Sequence, residues 1–462
     1  MYGGPFLALP ETAAESVADY ILETERRRAD ALDFAHAYRD FNVTVQSATG
    51  FSLDRMRRNI PASLRGLIDI VYDTNNHPKI RILEEMFSDD DLGHRASMQV
   101  LLHKQKDGER PFFLSDLRLP TGDGLVINTP FDSAAAKMLC AARVQPLDVD
   151  AFCSLTNTSP AELQPYLVTT AGTPSPAYDG TNVRIRYFGH AALLVETADV
   201  AILTDPTFAL EPCSHEPHFT WNDLPSRIDV LLISHGHTDH FCPDMLMQIR
   251  DRVGVVVAPG NNRGEPSDPS LHRMLGKLGY TNVVTLEPLS DYSIPDGKIT
   301  ALPFTGEHCD LDIHSKQCAV IDLKGRKICL FIDSDAIDVD IYSRLTPRMR
   351  GADVVFLGME CFGAPLSWLY GPLVTSALTK RDDQSRRLSG ANCQQAWDLI
   401  QTLRPRQVFV YAMGQEPWMR PLMGLNYTED SIQLKESNEF VNRCRAAGIP
   451  AEALFLRGEL EI

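Results

Sequence analysis

The run Leu232-Ile233-Ser234-His235-Gly236-His237-Thr238-Asp239-His240 constrains this chain more than any other. Residues 228–233 form a β-branched, apolar stretch broken only by Asp229, which reads as a buried strand. Three histidines and an aspartate follow at once, and Pro243 then opens a helical pattern. Imidazole is the commonest protein ligand for metals, and a carboxylate adds a hard oxygen. On a tight loop after a strand, His235 and His237 can reach one cation while Asp239 and His240 reach a second. The flanking strand and helix make a solvated histidine-rich turn the poorer account.

This His-x-His-x-Asp-His run resembles the signature of the metallo-β-lactamase superfamily. The resemblance implies a dinuclear metal site, but it names neither the metal nor the reaction. The preceding residues agree with it. An alternating stretch at 183–188, a Gly189-His190 turn, an apolar stretch at 192–197 and a run at 200–203 ending in Thr204-Asp205-Pro206 are similar to the opening of that superfamily's catalytic domain. By that likeness Asp205 supports the metal loop from behind. His190 either faces the site from its turn or is structural, and the sequence leaves both open. Further strands read at 254–258, 283–286, 299–303, 316–323, 327–332, 354–357, 408–411 and 453–456, with helices near 245–252, 271–278, 391–403 and 431–446. Strands and helices mixed in this way predict an α/β chain in which two sheets lie between helices, the αββα sandwich of the superfamily.

With 462 residues the chain has room for two domains. Residues 169–181 concentrate Thr, Gly, Pro and Ser, which places a linker there. The division is an N-terminal α/β domain over 1–175 and a metal domain over 176–462. In the first part, residues 11–40 read as a helix, and a second apolar-periodic stretch covers 64–86 with a break at Asn75-Asn76-His77-Pro78. A strand-like run follows at 124–128, then a helical stretch around 134–143, and Ser159 caps a helix that has Pro160 in its first position. None of this carries a chemical motif.

A formal charge of −17 disfavours nucleic acid and anionic membranes, both of which demand a basic face. No run of 18 apolar residues is present to form a transmembrane helix. The start Met1-Tyr2-Gly3-Gly4-Pro5 lacks the pattern of a signal peptide. The ten cysteines are scattered without a Cys-x-x-Cys pair, against a zinc knuckle or a disulfide framework. Cys242 and Cys309, beside the metal motifs, read as buried thiols. The expected location is the cytoplasm.

The remaining ligands depart from the hydrolase pattern. Where superfamily hydrolases place a histidine in the third motif, Phe304-Thr305-Gly306-Glu307-His308 puts Glu307, with His308 as its rival. Residues 328–332 lead into Asp333 as the fourth-motif aspartate, with Asp335 competing. The late histidine of the fifth motif is missing, because no histidine follows His314. Glu360 and Glu416 stand in its part of the chain. Neutral imidazoles preserve the Lewis acidity that zinc hydrolases use on water. Harder, more anionic oxygen ligation suits iron and dioxygen.

Taken with the blocks Gly363-Ala364-Pro365-Leu366-Ser367-Trp368-Leu369-Tyr370 and Tyr411-Ala412-Met413-Gly414-Gln415-Glu416-Pro417-Trp418, this set resembles the diiron β-hydroxylases of nonribosomal peptide and antibiotic pathways, chloramphenicol biosynthesis among them. The resemblance spans most of the chain. It implies a cluster of two iron ions that takes dioxygen and two electrons from a reductase. It implies hydroxylation of the β-carbon of an amino acid held as a thioester on a peptidyl carrier protein, and a homodimer formed through the N-terminal domain. By the same resemblance His235, His237 and Glu307 hold one iron, Asp239 and His240 the other, and Asp333 bridges, while Glu360 is a catalytic group or a further ligand. Trp368, Tyr370 and Trp418 are core residues or substrate contacts. Arg386 and Arg387 are candidates for a basic patch that meets the carrier. The alternative is a dizinc hydrolase of a lactone, phosphodiester or thioester, with two zinc ions in place of iron.

Overall fold

The computed structural model describes residues 11–88, 91, 95–104, 124–374, 376–423 and 427–462. The start of the chain, read above for a signal peptide, lies outside them. The stretch expected to be one helix is two, Ala14–Arg27 and Ala29–Gln46. Arg28 breaks the run at φ −110°, ψ 19°, and its guanidinium donates to Ser97 Oγ at 2.6 Å. The apolar stretch at 64–86 contains a hairpin of β1 (Ile68–Tyr72) and β2 (Pro78–Ile82). Asp73 closes its turn by accepting from the backbone N–H of Asn75 and His77, both at 2.8 Å. Ile68, Ile70 and Ile80 are buried against Phe41 and Val45 of the second helix. β3 (Gln99–Leu102) and β4 (Leu125–Asn128) pair antiparallel in a second two-stranded sheet. The expected cap at Ser159 is a full capping box with Glu162, with Pro160 in the first helical position.

Two seven-stranded sheets follow among the described residues. The strands of the first are β5 (Arg184–Gly189), β6 (Ala192–Glu196), β7 (Ala201–Thr204), β8 (Ile228–Leu232), β9 (Val253–Pro259) and β10 (Val283–Leu286). Those of the second are β11 (Asp291–Ile294), β12 (Gly297–Leu302), β13 (Cys318–Leu323), β14 (Arg326–Leu330), β15 (Val354–Gly358), β16 (Val408–Tyr411) and β17 (Ala451–Ala453). The last strand, β18 (Gly458–Glu461), returns to the first sheet, whose order is β10-β9-β8-β7-β6-β5-β18. The second sheet runs β11 to β17 in chain order. β7 to β10 are parallel, as are β14 to β17, and the rest are antiparallel.

The inner faces of the sheets share one core, in which Val195, Ile202 and Val257 belong to the first sheet and Ile299, Ile321 and Val355 to the second. Helices Pro243–Ile249 and Leu271–Lys277 cover the outer face of the first sheet through Leu246, Ile249 and Leu275. Helices Cys393–Leu403 and Ile432–Ala446 cover the second through Leu399, Ile400 and Phe440. Both faces of the parallel strands are therefore covered, which is why residues 354–357, and residues 228–233 apart from Asp229, read as apolar runs. Burying each such Leu, Ile or Val contributes about 1.5–3 kcal/mol.

The strands that differ from expectation lie at edges. β11 and β18 each pair with one neighbour only, and Asp291, Glu459 and Glu461 break up their apolar pattern. The run expected at 453–456 ends early. Leu456 adopts φ 60° and leaves the sheet to pack with Trp418 and Met419.

The N-terminal part is pinned to the metal domain by polar contacts. Glu84 accepts from Asn261 Nδ2 at 2.8 Å and from Ser270 N at 3.2 Å, and Arg250 donates to Phe131 O at 2.6 Å.

Candidate metal centre

The loops at the C-terminal ends of β5, β7, β8, β12, β14 and β15 converge, and the histidine run follows β8 directly. Several of these loops turn sharply: His190, Asp205, Glu307 and Ile332 all have positive φ, at 48°, 28°, 69° and 48°. For a β-branched residue such as Ile332 this is an unfavourable conformation, held only because the surrounding structure over-determines it. Gly358 must lack a side chain, since a Cβ there would lie 2.8 Å from Asp333 Oδ1 and 2.6 Å from Ile332 O.

Three groups of ligand-type atoms result: His235, His237, Glu307 and His308; His190, Asp239 and His240; and His235, His240 and Asp333. In the first, His235 Nε2 is 3.2 Å from His237 Nδ1, and Glu307 Oε2 is 2.7 Å from His237 Nδ1 and 4.0 Å from His235 Nε2. Asp333 Oδ2 lies 3.8 Å from His235 Nε2 and 2.7 Å from His240 Nε2, between the first group and the second.

The hydrogen bonds behind these atoms fix which imidazole nitrogen faces inward. Asp205 Oδ2 accepts from His240 Nδ1 at 3.0 Å and from Ser234 Oγ at 2.5 Å. Ser234 Oγ in turn accepts from His235 Nδ1 at 2.8 Å. His240 and His235 therefore carry a proton on Nδ1 and turn Nε2 inward. His237 is reversed: its Nε2 meets Tyr370 Oη at 2.8 Å, and Nδ1 faces Glu307. Tyr370 thus touches a ligand-type histidine as well as packing with Leu366 and Ile313.

Burial and the neighbouring imidazoles hold His235 and His308 well below the usual imidazole range. Burial also works downward on His240 but is outweighed by Asp333 and Asp239, which raise it well above that range. His237 is raised in the same way by Glu307. Burial pushes Glu307 up to about 7, with His237 opposing and Asp333 and Asp239 adding. Asp239 is lowered by His240 and His190 against the effect of burial. Glu360 is raised well above the carboxylate range by burial and by Asp239, Asp333 and Glu307, so it borders the cluster. Without cations, protons hold these crowded groups together; two divalent ions would invert that logic.

A dinuclear metal pair fits this arrangement on two observations. Among the described residues, no hydrogen-bond donor is aligned on the buried carboxylate oxygens Glu307 Oε2 and Asp333 Oδ1. The atoms of His235, His237 and Glu307, separated by 3.2, 2.7 and 4.0 Å, share an equidistant point about 2.0 Å from each, the length of a metal–ligand bond.

Some expected candidates are placed elsewhere. Asp335 accepts from Thr305 Oγ1 at 2.9 Å and from Ile337 N at 3.0 Å, bracing the Thr305-Gly306 turn. Glu416 is not among the metal-type groups; it accepts from Tyr187 Oη and from His190 N, the latter at 3.0 Å, and so anchors the β5–β6 turn. Trp418 is buried against Ala209 and Met419. Arg386 and Arg387 are half-buried and donate to Cys309 O at 2.9 Å and Gly363 O at 2.7 Å, so neither forms a free basic patch. Glu360 lies in none of the three groups. His190, left open by the sequence, joins the second group; a lone histidine in a Gly-His turn carries no spacing signal that would have decided it.

Two sheets between helices, with this loop at the strand ends, define a dinuclear metal centre on a metallo-β-lactamase fold, and residues 184–317 match the beta-lactamase superfamily domain. Part of the chain is 27% identical to a metal-dependent hydrolase of Methanosphaera stadtmanae, over 42% of this chain and 82% of that protein. The N-terminal part is more specific: residues 1–169 match the N-terminal domain of the diiron non-heme beta-hydroxylases. A relative from Streptomyces venezuelae, a 4-amino-L-phenylalanyl 3-hydroxylase of the CmlP peptidyl carrier protein, is 32% identical over 100% of this chain and 89% of its own length. The crystal structure of CmlA, a diiron β-hydroxylase from that organism, superposes with a TM-score of 0.89, covering 97% of this chain and 86% of that one. A CmlA mutant structure gives 0.86 at 30% identity, with the same coverage. This chain belongs to the diiron β-hydroxylase family.

Proposed function

We propose that this protein is a diiron, dioxygen-dependent monooxygenase that hydroxylates the β-carbon of an amino acid tethered as a thioester to a peptidyl carrier protein of a nonribosomal peptide synthetase. The observation that carries this reading is Glu307, a carboxylate 2.7 Å from His237 Nδ1 where the superfamily's hydrolases place an imidazole. In this reading His235, His237 and Glu307 hold one iron, Asp239 and His240 the other, and Asp333 lies between them. The iron pair supplies dioxygen activation at the cost of two electrons. Asp205, directly and through Ser234, holds Nδ1 of His240 and His235 and so turns their Nε2 atoms inward. Tyr370 holds His237 with Nδ1 inward. Glu360, at the border of the cluster, is the acid placed to exchange protons with the reacting centre.

One oxygen atom of dioxygen enters a C–H bond and the other leaves as water, so a reductase must deliver two electrons. The tethered substrate follows from the activity named for the Streptomyces venezuelae relative. The division into domains at 175/176, dimerisation through the first, and a cytoplasmic location belong to the same proposal. The location agrees with ten cysteines that are all free thiols. Among the described residues no helix is long and apolar enough to cross a membrane.

Metal analysis and Mössbauer spectra of aerobically purified protein test the reading. Two irons per chain are expected, and two zincs would overturn it. Glu307→His should shift the preference toward zinc.

A further inference from the structure

We infer that Asp268 is a positioning residue for the first metal subsite, formed by His235, His237 and Glu307, and that it ties this subsite to the N-terminal hairpin. The inference rests on the dinuclear reading above. Asp268 lies in none of the three ligand-type groups and is wholly buried. Its Oδ2 accepts from Asn262 N at 2.6 Å and from His314 N at 2.9 Å. Its Oδ1 accepts from Ser315 N at 2.9 Å and from Ser315 Oγ. An ionised carboxylate only accepts, and its two oxygens have room for all of these donors. Asp268 thereby clamps the loop at 260–270, between β9 and the helix Leu271–Lys277, onto residues 314–315.

The clamped residues lead straight into the site. Lys316 pairs antiparallel with His235, Gln317 N donates to Ser234 O at 2.8 Å, and Gln317 Nε2 donates to Ile233 O at 2.8 Å. Residues 316–317 thus lie alongside 233–235. Lys316 Nζ also donates to Gly306 O at 3.2 Å, immediately before Glu307. A displacement at Asp268 therefore reaches His235 through one contact of Lys316 and the Glu307 turn through another. His240, on the second subsite, is held instead by Asp205 at 3.0 Å.

N-terminal residues hold the other side of the clamp. Glu84, in the turn Glu84–Met86 after β2, accepts from Asn261 Nδ2 at 2.8 Å and from Ser270 N at 3.2 Å, gripping the loop on both sides of Asp268. Asn261 Nδ2 also donates to Asp268 O at 3.0 Å. Ile82 N donates to Gly264 O at 2.9 Å, and Lys79 pairs with Glu265. Gly264, at φ 97°, permits this approach, because a Cβ there would lie 2.6 Å from Ile82 O. One run of hydrogen bonds thus joins Glu84 to Asp268, to residues 314–316 and to the first subsite. It gives the N-terminal part, which carries no chemical motif, a role at the cluster.

Asp268→Asn tests this, since asparagine keeps one acceptor oxygen and turns an N–H toward donors. The probe is cobalt(II), which enters an iron or a zinc centre alike, so the outcome does not depend on which metal is native. It is titrated against a competing chelator, with circular dichroism to confirm the fold, and the loaded protein is followed by paramagnetic nuclear magnetic resonance. There each metal-bound imidazole gives its own shifted N–H signal, in wild type from His235, His237 and His240. Fewer than two cobalt ions per wild-type chain would overturn the dinuclear reading, and the inference with it. Asp268→Asn should weaken one cobalt site by about tenfold and displace the His235 and His237 signals while His240 keeps its own. Glu84→Gln should move the same two signals by less, and it carries the test should Asp268→Asn fail to fold. Asp353→Asn is the control. This buried carboxylate accepts from Arg326 and from Lys327 N at the start of β15, the end away from the cluster, so its loss should lower the melting temperature and move no signal. Wild-type signals and affinities in Asp268→Asn, or equal displacement of all three signals, would overturn the inference. Unchanged signals in Glu84→Gln would overturn the tie to the hairpin.

Discussion

Asp205 Oδ2 accepts the Nδ1 proton of His240 at 3.0 Å while the same oxygen holds Ser234 Oγ, which bears on His235. One carboxylate outside the metal-type groups therefore orients an imidazole on each side of the centre. Asp205→Asn presents one acceptor instead of two and can offer an amide N–H to the wrong atom. Iron affinity should fall about 10–100-fold, measured by chelator competition. Unchanged affinity would show that the loop holds its histidines without this carboxylate.

Asp333 and Asp335 should behave oppositely. Asp333→Ala leaves two cations without the oxygen placed between His235 and His240, so iron content should drop while the fold survives. Asp335→Ala should keep both irons and lose about 1–3 kcal/mol of stability, because its bonds are to Thr305 Oγ1 and Ile337 N. Calorimetry and iron analysis on the pair check this, and the reverse pattern would move the fourth-motif ligand by two residues.

Metal binding should release protons. His237 and His240 are raised from 6.5, and Glu307 is raised from 4.5 to about 7, so the metal-free site is protonated near neutrality. A raised group binds more protons when folded, and its stabilisation is lost as pH rises through its folded value. For Glu307 that window runs from 4.5 to about 7, and for the two histidines it lies above 6.5. His235 and His308 are depressed and act in the opposite sense as pH falls below 6.5. Above about pH 7 the two raised histidines remain, so metal-free protein should lose melting temperature with rising pH while iron affinity increases. Iron affinity that is flat between about pH 6 and 8 would contradict the assignment of these groups as ligands.

Much of the candidate centre was legible because its ligand-type residues are local. His235, His237, Asp239 and His240 fall within one turn after an apolar strand, and Glu307 and Asp333 each follow a strand of their own. What stayed illegible depends on contacts across the fold. Glu416 read as a substitute for the missing histidine, yet Tyr187 and the His190 backbone claim it, and no sequence spacing connects residues 187 and 416. Arg28, where the first helix breaks, likewise meets Ser97, a residue 69 positions away in the chain. β18 returns to the first sheet from the end of the chain as a charged edge strand, so local pattern gave no sign of it.

Arg386 and Arg387 illustrate the same limit, since a doublet that read as a docking patch braces two metal loops. Their segment also accepts from Glu307 N through Ser389 O at 3.1 Å and donates to Glu360 O through Gly390 N at 3.0 Å. Glutamate at both arginine positions should lower thermal stability by about 1–3 kcal/mol and reduce iron retention. A rise in KM for the loaded carrier with melting temperature and iron content intact would restore the docking role.

The central claim is oxygen insertion into a carrier-tethered amino acid, and intact mass spectrometry of the aminoacyl carrier protein after turnover under 18O2 with a reductant tests it most directly. The carrier should keep its thioester-bound amino acid and gain one 18O atom, with the label on the β-carbon. Release of the amino acid from the carrier without 18O incorporation would contradict the account and mark the centre as a hydrolase.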